Sequence, residues 1–393
     1  MPLKRAGLFM YPWDFIDEGV DDLVHRVRDL GVTRILLTSV YHAGFFLHPH
    51  NPRRKTHLLE DGVAYFHPTE AHYDRSPIKP AVASLCASTD WFGRICAKVV
   101  DAGLAASAWT VCLHNTRLGL LHPQATVRNV YGDSYPHAMS PAHPDARAYV
   151  RALVSDLAEH YPLLSVLLEA PDYRKRAHGS SWVSGHHHER DGVYLRPLEQ
   201  HLMDLSFNEA DVQQASQAGI DVEALRTAVR SHMDRYFVEA PQFPPGAAET
   251  VDQFRESVPE LATYEAHLRR MEEAFLVEMQ RATTPHGVKL EGPPSPAVDM
   301  VLAGGYGEPP ERISRLVEDH RSRLRPGQDL GFGLRLGFNH PGMGSPLLSE
   351  QDTKAATRAV VEAGADEVVF YNYGEAPARS VEWIRSALRD VGF

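Results

Sequence analysis

The chain has 393 residues, 43% of them hydrophobic and 23% charged, with a formal net charge of -11. That length suits one large barrel with insertions or two ordinary domains, and the composition suffices to bury a real core. The acidic balance, with no dominating run of Lys or Arg, argues against a nucleic-acid partner, and no stretch is long and apolar enough to span a bilayer.

Cys86, Cys96 and Cys112 are the only cysteines and form no CxxC pair, which fits a reducing compartment rather than a disulfide framework. The N-terminus lacks the long apolar core and cleavage site of a signal peptide, so a cytoplasmic location is expected. Histidine is abundant, with 22 residues, many in prospective loops. Such an excess marks a polar pocket without naming its chemistry.

In chain order, a first strand spans 7–11. A helix follows with apolar residues at Val20, Leu23, Val24, Val27 and Leu30, a period near 3.6, with Asp17 as its expected cap and Gly31 as its terminator. Strand two spans 34–39, and a long loop runs to about residue 89, where Asp90 caps the next helix. Strand three covers 107–112. A loop rich in Pro, His and Tyr leads to a helix over 144–160, and strand four covers 164–169.

The largest insertion follows, with helical patterns near 209–217, 222–239 and 259–282. The last carries Leu261, Tyr264, Leu268, Met271 and Phe275 on a face expected to pack on the barrel. Strands five to eight are read at 288–291, 298–302, 331–336 and 367–371. Helices follow the last three, with Ser349 and Ser380 as expected caps for the final two. Too few residues separate strands five and six for a proper helix.

Eight strands alternating with helices predict a (β/α)8 TIM barrel, an α/β fold that closes without unpaired edges. It is expected to be one domain over 1–393, with long βα-loop insertions and a helical insertion at about 175–284. A doubly wound open sheet would want a Gly-rich phosphate turn after strand one, where Tyr11-Pro12-Trp13-Asp14 stands instead.

Active sites of such barrels lie at the C-terminal ends of the strands. Carboxylates concentrate there, and cleaving a glycosidic bond needs one carboxylic acid to protonate the leaving oxygen and a second carboxylate to attack the sugar or activate water. Glu169 ends an apolar strand, so its pKa should be raised and it is the candidate acid. Glu375, Glu291 and Asp14 are candidate partners. An ion pair of Glu169 with Arg174 or Arg335 is the structural alternative.

Sugar rings stack on aromatic faces while their hydroxyls want His, Asn and Arg. Tyr11, Trp13, Tyr41, His42, His114, Asn115, His187, His188, Arg335, Tyr371 and Asn372 are therefore the expected substrate-binding residues. The run Gly185-His186-His187-His188-Glu189-Arg190 could instead hold a divalent metal, with His186 and His188 on one side of an extended segment. Substrate binding is preferred over metal, and no cofactor is expected.

Three segments carry a family resemblance: His114-Asn115-Thr116-Arg117-Leu118-Gly119, Asn129-Val130-Tyr131-Gly132-Asp133-Ser134-Tyr135-Pro136 and Ser140-Pro141-Ala142-His143-Pro144-Asp145. Together with Leu168-Glu169-Ala170, His178-Gly179 and His187-His188-Glu189-Arg190, they resemble bacterial glycosyl-hydrolase-like, family-10-like barrels. The resemblance implies a TIM barrel and a glycan or glycoside substrate. The chain departs from the large clan of retaining enzymes, which place Asn before the strand-four acid and Glu at the end of strand seven. Here Leu168 precedes Glu169 and strand seven ends without a carboxylate, so inversion with Glu375 or Asp14 activating water is the more open course.

The expected function is a glycosidase acting on a small glycoside or oligosaccharide. A metal-dependent lyase, isomerase or hydrolase using the His-rich loop, and a catalytically silent sugar-binding barrel, are the alternatives. The long helices after strand four could serve a homodimer interface.

Overall fold

In the computed structural model, which describes residues 3–176, 192–239, 249–337 and 349–393, eight parallel strands close on themselves. They are β1 (Arg5–Met10), β2 (Arg34–Tyr41), β3 (Ala105–Val111), β4 (Ser165–Glu169), β5 (Lys289–Gly292), β6 (Met300–Gly304), β7 (Asp329–Arg335) and β8 (Glu367–Tyr371). Closure is direct, because Leu8 pairs with Ile35 of β2 on one side and with Phe370 of β8 on the other. The fold is a (β/α)8 barrel. Strands of such a sheet are covered on both faces, which is why β2 reads as an unbroken buried run rather than an alternation.

Local chemistry explains the helices and corrects some expected boundaries. Gly19, at φ 95°, splits the first helical segment into Pro12–Glu18 and Val20–Asp29. Asp17 is therefore not a cap; it is buried and accepts from Asn51 Nδ2 at 3.0 Å and Arg54 Nη2 at 2.9 Å. Asp90 does cap Trp91–Asp101, accepting from the Gly93 amide at 3.0 Å. Ser349 likewise caps Glu350–Glu362 through the Asp352 amide at 3.1 Å. Ser380 lies buried inside Ala378–Asp390, whose cap is Pro377. Residues 293–299 join β5 to β6 without a helix.

The segment between β4 and β5 forms helices Pro197–Asp204, Glu209–Gln217, Val222–Glu239, Val251–Ser257 and Pro259–Thr283. They bury a core of their own around Leu202, Leu225, Val229 and Met233. Pro259–Thr283 serves both cores. Leu261, Tyr264 and Leu268 face the helical cluster, while Phe275, Leu276 and Met279 join the barrel core.

The N-terminal end of the barrel is plugged by a buried ionic layer. Arg34, with no exposed surface, donates from Nη1 to Glu367 Oε2 at 2.9 Å and to Glu291 Oε1 at 3.3 Å. Its Nη2 also bonds Glu291, and its Nε and Nη2 reach Ser107 and Ser165, each at 2.9 Å. Burial alone would lower the guanidinium's affinity for its proton, but Glu291 and Glu367 hold it firmly charged. No described helix is long and apolar enough to cross a membrane.

Candidate active site

At the opposite, C-terminal end the strands open into a cavity of about 540 Å³, within the usual range of small-molecule sites. Its depth is set by mid-strand Phe9 of β1, Leu167 of β4 and Leu302 of β6, and its walls by Trp109, Glu169, Asp172, Arg174, Tyr306, Arg335 and Tyr371. Side chains alternate along a strand, so Ser107 and Trp109 of β3 both point inward, one into the ionic layer and one into the cavity.

Glu169, the last residue of β4, accepts a hydrogen bond from Trp109 Nε1 at 2.5 Å. Burial pushes its carboxyl pKa up, and the indole bond and the Arg174 charge offset that only in part. Arg174 is paired with Asp172, and Glu169 makes no ion pair among the described residues. A carboxyl with one neutral donor and no bound cation stays protonated to higher pH than a solvated one.

Glu375, in the connection after β8, is the second desolvated carboxylate. Its Oε1 accepts from Tyr11 Oη at 2.7 Å and Tyr371 Oη at 3.4 Å, and Arg335 Nη2 stands 3.7 Å from Oε2. Burial again raises its pKa, against the lowering by Tyr11, Arg335 and Tyr371. Burial, and with it the charges of both Glu169 and Glu375, lifts the phenols of Tyr41 and Tyr371 above their ordinary range. Tyr371, which bonds Glu375, also lines the cavity with Glu169.

The other two candidate carboxylates serve the fold. Asp14 is buried at the third position of helix Pro12–Glu18, and its Oδ2 accepts from the Tyr11 amide at 2.9 Å. Glu291 is locked to Arg34 and to Ser165 Oγ (2.8 Å) in the ionic layer at the far end of the barrel. Neither lines the cavity, and neither does Glu375, which meets it through Tyr371 and Arg335. Asp14 and Glu291 differ from Glu375 in being bonded to a helix start and to a buried arginine.

Of the expected substrate-binding residues, Arg335 and Tyr371 line the cavity. Tyr11 is fully buried, stacked on Trp13 at 4.4 Å, and reaches the site through its hydroxyl on Glu375. Trp13 donates to His48 Nε2 at 3.1 Å behind that wall. Tyr41, His42 and His114 form a ring stack with centroid spacings of 4.3 and 4.6 Å. Asn115 is buried and caps helix Thr116–Leu121 through the Leu118 amide at 2.9 Å, so it is taken up by the backbone. Asn372, also buried, accepts from the Gly374 amide at 2.9 Å. His186, His187 and His188 lie outside the described residues.

Sequence reasoning gave no site role to Trp109, although alternation along strand three carried the signal. Tyr306, Asp172 and Arg174, none of them among the expected substrate-binding residues, also line the cavity. Tyr306 fits because β7 offers Gly333 beneath it; a Cβ there would come within 3.2 Å of the Tyr306 hydroxyl. Tyr306 and Tyr371 then lie with ring centroids 5.7 Å apart. Among the described residues, no group of three His, Cys, Asp or Glu with metal-ligand spacing lies in this cavity.

The structure's fold neighbours are glycoside hydrolases. The PgaB (BpsB) glycoside hydrolase domain from Bordetella bronchiseptica superposes with a TM-score of 0.56 at 14% identity, over 99% of both chains. The beta-galactosidase from the psychrophilic Marinomonas ef1 gives 0.55 at 15% identity, over 99% of this chain and 59% of that one. The alpha-L-fucosidase isoenzyme 2 from Paenibacillus thiaminolyticus gives 0.55 at 12% identity, over 100% of this chain and 49% of that one. The chain thus spans about half to three fifths of the latter two. Likeness at such identity fixes the barrel architecture. No family model matches the sequence, and no curated protein matches it.

Proposed function

We propose that the protein is a glycoside hydrolase acting on a small glycoside or oligosaccharide. The observation that carries this reading is a desolvated carboxyl, Glu169, lining a cavity walled by Trp109, Tyr306 and Tyr371, with a second desolvated carboxylate, Glu375, directly behind the lining residues Tyr371 and Arg335. Glycosidic cleavage needs a carboxylic acid that is still protonated when the leaving oxygen departs, together with an ionised carboxylate. Glu169 is the proton donor in this scheme: burial keeps its proton on, and the Trp109 bond fixes its orientation. Glu375 is the base or nucleophile, held by two phenols and kept ionisable by Arg335. The aromatic walls stack against sugar C–H faces, and Arg335 and Arg174 donate to hydroxyls.

The test is turnover of a panel of 4-nitrophenyl glycosides and unmodified oligosaccharides by the wild-type protein and by Glu169→Gln. The wild type is expected to release sugar, and the variant to lose that activity while keeping its circular dichroism spectrum and Tm. Absence of wild-type turnover across the panel, or full activity in the variant, overturns the proposal. Proton NMR of the first product anomer then tells whether Glu375 attacks the sugar or activates water.

A further inference from the structure

A second cluster of chemistry-bearing side chains lies on the outer wall of the barrel. Asp156 and His160 stand one turn apart at the end of helix Pro144–His160, a spacing that puts both on one face. His72 comes from the short 3-10 turn Glu70–Tyr73 in the long connection between β2 and β3. Each residue offers one ligand atom, and the three atoms lie within 4.8 Å of one another. The rings of His72 and His160 meet edge to face with centroids 5.4 Å apart.

Asp156 is the member that needs explaining. It is fully buried, and its Oδ2 accepts from the Thr69 amide at 2.9 Å. Its Oδ1 is also buried and receives no hydrogen bond. His160 Nδ1 lies 3.0 Å from that oxygen but bonds the Asp156 carbonyl oxygen at 3.1 Å. The Tyr73 hydroxyl also lies within hydrogen-bonding reach of Asp156. A buried carboxylate flanked by imidazoles is stabilised by a cation, which a bound metal ion would supply without protonating either ring.

We propose that His72, Asp156 and His160 hold a divalent transition-metal ion, Zn²⁺ by its ligand chemistry. Two imidazoles and one carboxylate suit Zn²⁺, whereas Ca²⁺ and Mg²⁺ call for all-oxygen sets. Glu159, whose Oε2 is 3.2 Å from His72 Nε2, is placed to supply a fourth ligand or to orient that imidazole. The site sits just before Ser165 opens β4, at the barrel end opposite the cavity, where side chains serve stability. The ion would staple the β2–β3 connection to the helix that feeds the strand carrying Glu169.

The inference stands apart from the glycosidase reading and is tested by binding. The His186–His188 run is a competing ligand source, so the background is the full-length, untagged, chelator-treated His186→Ala/His187→Ala/His188→Ala protein. Calorimetric titration of that protein with Zn²⁺ should give one site per chain and a Zn²⁺-dependent rise in Tm. Adding His72→Ala or His160→Ala should weaken binding by roughly ten-fold or more and remove the rise in Tm. His72 lies in a connection, so its variant keeps the test open should His160→Ala fail to fold. Absence of Zn²⁺ binding by the background protein, or undiminished binding by the His72→Ala variant, overturns the site.

Discussion

The two ends of the barrel use the same residue types to opposite effect. At the N-terminal end, Glu291 and Glu367 meet Arg34, and Asp329 meets Lys4 and Arg5, so each of these three carboxylates has a cation at bonding distance. At the C-terminal end, Glu169 meets an indole N–H and Glu375 two phenols, with Arg335 at 3.7 Å. Charge is neutralised at one end and merely desolvated at the other. Paired carboxylates hold the fold, whereas burial pushes the pKa of the desolvated ones up.

The largest expected effect falls at the desolvated end. Glu169→Gln and Glu375→Gln should each lower glycoside turnover by about 10²- to 10⁴-fold, the range of lost acid-base catalysis, with little change in Tm. Full activity of Glu375→Gln beside an inactive Glu169→Gln would remove Glu375 from the chemistry and break the symmetry argued for that end.

Next comes the paired end. Arg34→Met leaves Glu291 and Glu367 buried without their cation and should cost about 3–5 kcal/mol in a urea melt. Activity per folded molecule should be kept. A variant as stable as wild type would mean that the ionic layer does not hold the barrel.

The pH profile sharpens the contrast. Turnover should be bell-shaped. Glu375 must lose its proton on the acid limb, Glu169 must keep its own on the alkaline limb, and burial moves both limbs upward. The Trp109 bond lowers the Glu169 pKa, so Trp109→Phe should move the alkaline limb up. Arg335→Met removes a charge that lowers the Glu375 pKa and should move the acid limb up. A downward shift of either limb would reverse the assignment.

The smallest effect is at Asp329. Burial alone would raise its pKa, yet Lys4 and Arg5 hold it far below the usual carboxylate range. Its contribution to stability is present above the unfolded pKa and fades as pH falls through the folded one. Asp329→Asn should be less stable near neutrality by about 1 kcal/mol or less, with the gap closing in acid. A gap that widens in acid would contradict the pairing.

Much of this architecture can be read from residue order. Eight apolar runs, the Asp90 and Ser349 caps and the turn at Gly31 follow from local rules, because strand burial, capping and left-handed glycine are decided within a few residues. The position of Glu169 at the end of an apolar strand is legible for the same reason. Glu291 looks alike in sequence, ending the run Val288-Lys289-Leu290, yet serves the opposite end of the barrel. Asp14 also resembles a site residue in sequence and bonds the Tyr11 amide from the third position of its helix. Trp109, buried in mid-strand, looked like core.

The sequence by itself determined a closed parallel barrel and placed Glu169 at the end of an apolar strand. Tertiary structure alone decided that Glu291 meets Arg34 while Glu375 meets two phenols, and it brought His72 to Asp156 across the connection between two strands. The reason is electrostatic. Whether a carboxylate is neutralised or left desolvated depends on which cation the folded chain brings within a few ångströms, and Arg34 reaches Glu291 from 257 residues away.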